Sequence, residues 1–260
     1  LLPSLLFLAT ATRPLTRHED LPLAAFAVTG TVTAALLVWL AAPLLVADDK
    51  RGAFTQSAFR SNMGLIGLAL CINAYGEDIV ARAGIFIASM IVAVNVLSIL
   101  VLTNDRRQML SNQVRNPILI AILAGIAWQK LGIALPALVE TVLEYCARMA
   151  LPLALLCIGA SIDWKKLHPE HTDVVWATVI KMALFPAAMT AAAAWWGFRG
   201  VVLGILFLMT GAPTATVAFV MARELTPHGD LAAESIVMST LVSPLTITLG
   251  LTILSSLNLV

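Results

Sequence analysis

Two basic side chains lie where an apolar helix would bury them. Arg60, in the run AFRSNMGLIG, and Lys181, in TVIKMALFP, each stand inside an otherwise apolar stretch, with no Asp or Glu at comparable depth. An ionisable group inside a bilayer costs on the order of 3 kcal/mol on insertion scales, so it must face protein, water or a ligand. Cations without an acidic partner favour an anionic ligand. The alternative is a long side chain that snorkels to the interface, which is open to Lys181 above all. Asn62 and Asn95 are lone amides in apolar runs and need either a ligand or an interhelical hydrogen bond. Thr214 and Thr216 offer hydroxyls, and Ala215 and Thr216 offer amides, to a carboxylate; the hydroxyls can also back-bond to their own helix. Ser239 and Thr240 serve equally as small residues for close packing. This is binding chemistry and not catalysis. The four histidines fall in loops, HEDLP at His18 lacks the second His of HExxH, and neither GxSxG nor a Walker A sequence occurs. Cys71, Cys146 and Cys157 show no CxxC or Cys/His spacing and read as packing residues. No catalytic residue, metal ligand or cofactor is assigned.

The elements that position these groups are membrane spans. A chain of 260 residues that is 60% hydrophobic and 12% charged, with mean hydropathy +0.92, is a polytopic membrane protein. A net charge of +1 gives no reason to invoke nucleic acid. Leu1 to Thr10 reads as the second half of a helix whose beginning precedes the chain, with neither the basic flank nor the cleavage site of a signal peptide. Spans follow at Leu21 to Val46, Gly52 to Ile72, Ile79 to Leu102, Pro117 to Gln129, Leu135 to Ile162, Val174 to Trp196, Val201 to Ala222 and Asp230 to Leu254, about eight in all. The basic stretch Thr103 to Arg115 divides them. Glu140, Glu144 and Arg148 form a ladder at helical spacing.

One span contradicts its own hydropathy. In GAPTATVAFVMA, Gly211 to Ala222, Pro213 removes a backbone donor and clashes with the preceding turn, which predicts a broken helix. Peptide groups freed in hydrocarbon cost several kcal/mol each unless they line a protein-enclosed or watered cavity. Gly64 and Gly67 weaken the span around Arg60 in the same way. Assigning loops to alternate sides puts eight basic residues, Lys50 and Arg223 among them, against five, which makes the first side cytoplasmic and the C-terminus external. With one helix supplied ahead of the chain, five spans precede the basic break and five follow, so the halves are inverted and the fourth span of each is the irregular one. Asn62 and Pro213 then both fall near the midplane, about ten and twelve residues into their spans.

RSNMGLIG at Arg60 to Gly67, RNPILIAILAGI at Arg115 to Ile126, PLALLCIGASI at Pro152 to Ile162, GAPTATVAFVMA and MSTLVSPLT at Met238 to Thr246 resemble, in order, the bacterial branch of the auxin efflux carrier family. The resemblance implies ten helices in two inverted five-helix repeats, with the fourth and ninth crossing as broken helices at the substrate site. It also implies a scaffold of helices one, two, six and seven, often dimeric, against which a transport domain moves as an elevator. Residues 1–103 would be the first repeat, lacking its first helix and part of its second, 104–116 a cytoplasmic linker, and 117–260 the second repeat. Where the family commonly has a proline after the second glycine of its fourth-helix motif, this chain has Ala69.

The reading is therefore an all-α polytopic membrane protein that carries small organic anions of the malate or malonate type by alternating access. Its expected partners are that substrate, the lipid bilayer of a bacterial inner membrane and a second copy met through the scaffold. The alternatives are an anion channel, for which no carbonyl filter or charged ring is found, and an efflux carrier of auxin-like weak acids. The expected site comprises Arg60, Asn62, Gly64, Asn95, Lys181, Pro213, Thr214, Ala215, Thr216, Ser239 and Thr240.

Overall fold

The computed structural model describes residues 2–12, 20–103, 117–160 and 172–260. The polar turn at 13–19, the linker at 104–116 and the segment 161–171 lie outside the described residues, and with them His18, His168, His171 and Trp164. The described chain is helical with no strand longer than a single bridge. Its helices are α1 (Leu2–Thr12), α2 (Asp20–Ala41), α3 (Arg51–Phe59), α4 (Leu68–Tyr75), α5 (Val80–Leu102) and α6 (Pro117–Leu131) in the first part. They continue as α7 (Ala137–Ala160), α8 (Thr172–Val179), α9 (Phe185–Trp196), α10 (Gly200–Gly211), α11 (Thr216–Leu225) and α12 (Gly229–Ser256).

Four continuous helical stretches are long and apolar enough to cross a bilayer: Leu21–Leu44, Glu77–Leu102, Thr172–Trp196 and Gly229–Ser256. The expected eight spans thus separate into these four, two that are broken into halves (α3 with α4, α10 with α11), the 15-residue α6 and the more polar α7. Pro117 opens α6, a position where its missing N–H would have no helical partner anyway. Between α8 and α9 the helix widens into one π turn, Ile180–Leu184. Pro186, two residues beyond, supplies the cause, because its ring displaces the carbonyl four residues back. Large apolar side chains remain exposed on the outer helices, among them Leu37 on α2, Leu156 on α7 and Leu249 on α12, as a lipid-facing surface requires.

The helix ends alternate between two faces. On one, Lys50 donates to Asp173 at 2.7 Å and His228 lies 3.2 Å from Asp49, joining the turns before α3 and α8 to the α11–α12 connection. The Asp173 carboxylate holds the Lys50 ammonium above its ordinary value, against the smaller opposing effect of burial. On the opposite face Phe26 packs edge-on to Phe198, and the Gly200 amide donates to the Leu259 carbonyl. Cys71 is buried and Cys146 half-buried, both as free thiols, in keeping with packing roles; the side chain of Cys157 is outside the described set.

One large apolar cluster links most of the described helices, with Leu6, Ala9 and Ile122 of α1 and α6 among its members. A core of Phe59, Leu68, Phe86, Met90, Leu203 and Leu206 joins α3, α4, α5 and α10. Helix α1 lies mainly along α6 and α7 and also touches α5. Without a hydrophobic driving force between helices in lipid, small residues set such contacts. Gly125 faces Thr10, and a Cβ at 125 would stand 2.7 Å from the Phe7 carbonyl oxygen and 3.2 Å from the Ala11 nitrogen. Backbone atoms cannot swing aside. Gly125→Ala is therefore expected to cost about 1–3 kcal/mol through overpacking, read as a lower melting temperature in detergent. An unchanged melting temperature would mean that α1 shifts freely on α6.

Candidate functional site

Helix α3 stops because Arg60 turns to extended geometry, φ −80° and ψ 92°. Helix α10 stops because Ala212 is held extended, φ −60° and ψ 144°, as the residue ahead of a proline must be. The two extended pieces meet as an antiparallel bridge between Ser61 and Thr214. The Asn62 amide donates to the Pro213 carbonyl at 2.8 Å, and the Ala215 amide donates to the Arg60 carbonyl at 2.9 Å. Side chains repeat the exchange. The Ser61 hydroxyl donates to the Thr210 carbonyl at 2.9 Å, and the Thr214 hydroxyl donates to the Ser57 carbonyl at 3.0 Å. Each break thus supplies the partners that the other break leaves wanting, which is how two opened helices persist in an apolar interior.

The remaining supports come from α5 and α12. Ser239 accepts from the Thr214 amide at 3.0 Å, and its own hydroxyl donates to the Ile236 carbonyl at 3.1 Å. Thr240 only back-bonds to Ile236 at 2.7 Å. Ser239→Ala leaves a buried amide unpaired, so a loss of about 1–3 kcal/mol is expected, measured as a lowered melting temperature, with Thr240→Ala close to neutral. Equal effects of the two would contradict this division of roles.

Both buried cations are held by neutral oxygens. Arg60 donates to Asn95 Oδ1 at 2.6 Å, to Ser98 Oγ at 2.5 Å and to the Val94 carbonyl at 3.2 Å, all on α5, while its Nε has no partner. Lys181 is 0% exposed and donates to the Thr210 carbonyl at 2.7 Å, with its ammonium 5.6 Å from the Phe185 ring centroid. It does not snorkel: the π turn that carries it points it into the crossing. Among the described residues neither cation makes an ion pair.

The structure brings Arg60, Asn62, Asn95, Lys181, Pro213, Thr214, Ala215 and Ser239 into one bonded cluster, through the contacts given above and the Thr210 carbonyl that Lys181 and Ser61 share. It corrects one expectation. The Ala215 amide is not free for a ligand, because the Arg60 carbonyl takes it. Among the described residues, what stays uncommitted is the Asn62 side-chain amide, the Thr216 hydroxyl and the Thr216 and Val217 amides that open α11, which has no side-chain cap; the Ala218 amide donates to the Ala215 carbonyl at 2.8 Å. Gly64 lies half-buried in the π turn Met63–Gly67 that leads into α4, so the chain opens here without the proline at 69. Sequence reasoning missed Ser57, Ser61, Ser98 and Thr210. Ser98 was findable, since it lies three residues after Asn95 and hence on the same helix face. Thr210 was not, because its contribution is a backbone carbonyl.

A cleft of about 420 Å³ lies elsewhere, between α1 and α7 and the α4–α5 turn, lined by Leu8, Ile72, Glu77, Glu140, Glu144 and Pro152 among others. The crossing residues do not line it. Glu144 and Arg148 pair there at 3.8 Å, with the arginine side chain 74% exposed, which is too open to contribute much. No group of three His, Cys, Asp or Glu side chains among the described residues is placed to hold a metal.

With this geometry in hand, comparison with known proteins is decisive for the family. The family model described as membrane transport protein matches residues 104–251. The chain belongs to this family, that of the auxin efflux carriers. An archaeal relative from Methanothermobacter thermautotrophicus, named "Uncharacterized transporter", is 23% identical over 247 residues, 93% of this chain and 82% of the relative. "Auxin efflux carrier component 3a" of Oryza sativa subsp. japonica is 27% identical over 144 residues, 52% of this chain but 23% of that protein. A protein of Rhizobium meliloti named "Putative malonate transporter" is 25% identical over 134 residues, 51% of this chain and 42% of its own length. The family is one of membrane transporters, and the four long apolar helices among the described residues fit an integral membrane protein.

Proposed function

We propose that this protein is a secondary carrier that moves small organic anions, mono- or dicarboxylates, by alternating access, with the crossing of α3–α4 and α10–α11 as its substrate site. The observation that carries the reading is the Ser61–Thr214 bridge, which joins two broken helices. Broken helices at the midplane present half-helix ends to a solute, and their N-termini favour a carboxylate. Two buried cations with no carboxylate partner favour the same charge. The malonate named for one relative and the auxin, also a weak acid, named for others supply the chemical class. In this reading Asn62, the Thr216 hydroxyl and the Thr216 and Val217 amides touch the substrate, Gly64 lets it approach, and Arg60 and Lys181 set the potential. Asn95, Pro213, Thr214, Ala215 and Ser239 hold the crossing open, while Thr240 bonds only to its own helix.

The same reading treats α1, α6 and α7 as scaffold and dimer surface and the remaining helices as the part that slides, the two halves being inverted repeats. The face that carries Lys50 is assigned to the cytoplasm by its basic excess, which leaves the C-terminus outside a bacterial inner membrane. The test is uptake by vesicles containing the purified protein, using labelled malonate, malate and an auxin-type aromatic acid. Saturable uptake with counterflow by unlabelled acid is expected. Flux that stays linear with concentration would make the protein a channel, and no exchange of any acid would remove the organic-anion reading.

A further inference from the structure

Arg148 stands at a depth where lipid would not tolerate it. Helix α7 has 24 residues, enough to span a bilayer, and Arg148 lies about 16 Å from its start at 1.5 Å per residue. Its side chain is nevertheless 74% exposed. A guanidinium at that depth has to face water or a counter-charge, and one space offers both. Arg148 lines the cleft of about 420 Å³ between α1, α7 and the α4–α5 turn, together with Glu77, Glu140 and Glu144. Two features lead from this cleft towards the crossing. Helix α7 packs against the π turn Met63–Gly67 that follows Asn62. Ile72, another lining residue, comes five residues after Gly67 on continuous helix, about 7.5 Å by helical rise. The ion-pair partner of Arg148 is Glu144, at 3.8 Å and with its own side chain 48% exposed. So long and open a pair is weak, and a second carboxylate that meets the planar fork bidentately makes the better contact.

We propose that Arg148 is a way-station for the carried anion, where a small carboxylate displaces Glu144 from the guanidinium on its passage between the cleft and the crossing. The inference rests on reading the crossing as the substrate site and adds a stop outside it. Glu140, in the first turn of α7, and Glu77, at the head of the α4–α5 turn, line the same cleft. Their charge repels an anion held at Arg148, so the stop is brief and the crossing keeps the tighter hold. Arg148 and Glu144 therefore act on the rate at which the acid comes and goes, as charges along an approach do, and leave its final affinity alone.

Uptake kinetics beside equilibrium titration, both with the acid that vesicle uptake identifies, test this. Arg148→Gln is expected to lower kcat/KM at least threefold. Glu144→Gln is expected to raise it, because it frees the guanidinium and removes a like charge. The equilibrium affinity of both variants should stay within twofold of the wild type, and the two kinetic differences should shrink at high salt. A merely structural pair predicts that both substitutions act in the same direction. Such a parallel change, or no change in either, overturns the proposal while the crossing keeps its role. Arg148→Cys checks the exposure separately, by reaction with a membrane-impermeant methanethiosulfonate. Labelling above that of the wild type's own cysteines is expected; none would put position 148 against protein or lipid and overturn the proposal. Failure of every acid to be taken up would remove the carrier reading, and the way-station with it.

Discussion

Pro213→Ala is expected to leave the protein folded and to lower uptake per folded molecule at least tenfold. The alanine allows Ala212 to return to helical geometry, and replacing proline inside a helix recovers up to about 3 kcal/mol of intrinsic preference. Against it stand the two backbone bonds of the bridge, Asn62 to Pro213 and Ala215 to Arg60, at about 0.5–1.5 kcal/mol each. Closure also gives up the Ser61–Thr210, Thr214–Ser57 and Thr214–Ser239 contacts but returns the Thr214, Ala215 and Thr216 amides to helical carbonyls, so the melting temperature should stay close to that of the wild type. Transport should nevertheless collapse, because closure withdraws the first-turn amides of α11 into their own helix and leaves the Arg60–Asn62 segment without its partner. A melting curve beside the initial uptake rate decides it. Normal uptake per molecule would sink the claim that the broken helix forms the site, and a fall in uptake that only tracks lost folded protein would make Pro213 a packing kink.

Arg60→Ala is expected to weaken anion binding tenfold or more and also to destabilise the fold. The structure separates two contributions. Three donor contacts tie α3 to α5, and hydrogen bonds to a charged group contribute about 1.5–3 kcal/mol each. The charge itself acts on the crossing through a low dielectric. Arg60→Lys retains the charge but not the planar fork that reaches Asn95 and Ser98 together. The expected order of affinity is wild type, then Lys, then Ala, with both variants melting below the wild type. Affinity is read by titration with the acid that uptake identifies. If Arg60→Ala binds as the wild type does, the guanidinium is a structural tie between α3 and α5 and leaves the site.

Several features were legible in the residues alone because each is a local property. Pro213 dictates a break wherever its helix packs, and Ala212 must be extended for the same steric reason. A composition of 60% hydrophobic residues can be buried only in lipid or in its own helices. The need of Arg60, Asn62, Asn95 and Lys181 for partners follows from polar groups set in apolar runs, and all four are buried, while the motif order pointed to the family that the comparison then established.

Partnership was a different matter, since it depends on which elements meet. No spacing in the chain tells that Asn95 accepts from Arg60, that Ser61 and Thr214 lie opposite one another 153 positions apart in sequence, or that the Ala215 amide is consumed by a carbonyl of the other broken helix. Lys181 shows the limit most clearly. By residue count it lay within reach of the interface, and only the π turn ahead of Pro186 and the Thr210 carbonyl, shared with the Ser61 hydroxyl, turned it inward. Residue types thus determined which groups had to find partners in the membrane. The tertiary structure decided which partners they found, because an opened helix is satisfied only by another backbone brought alongside it.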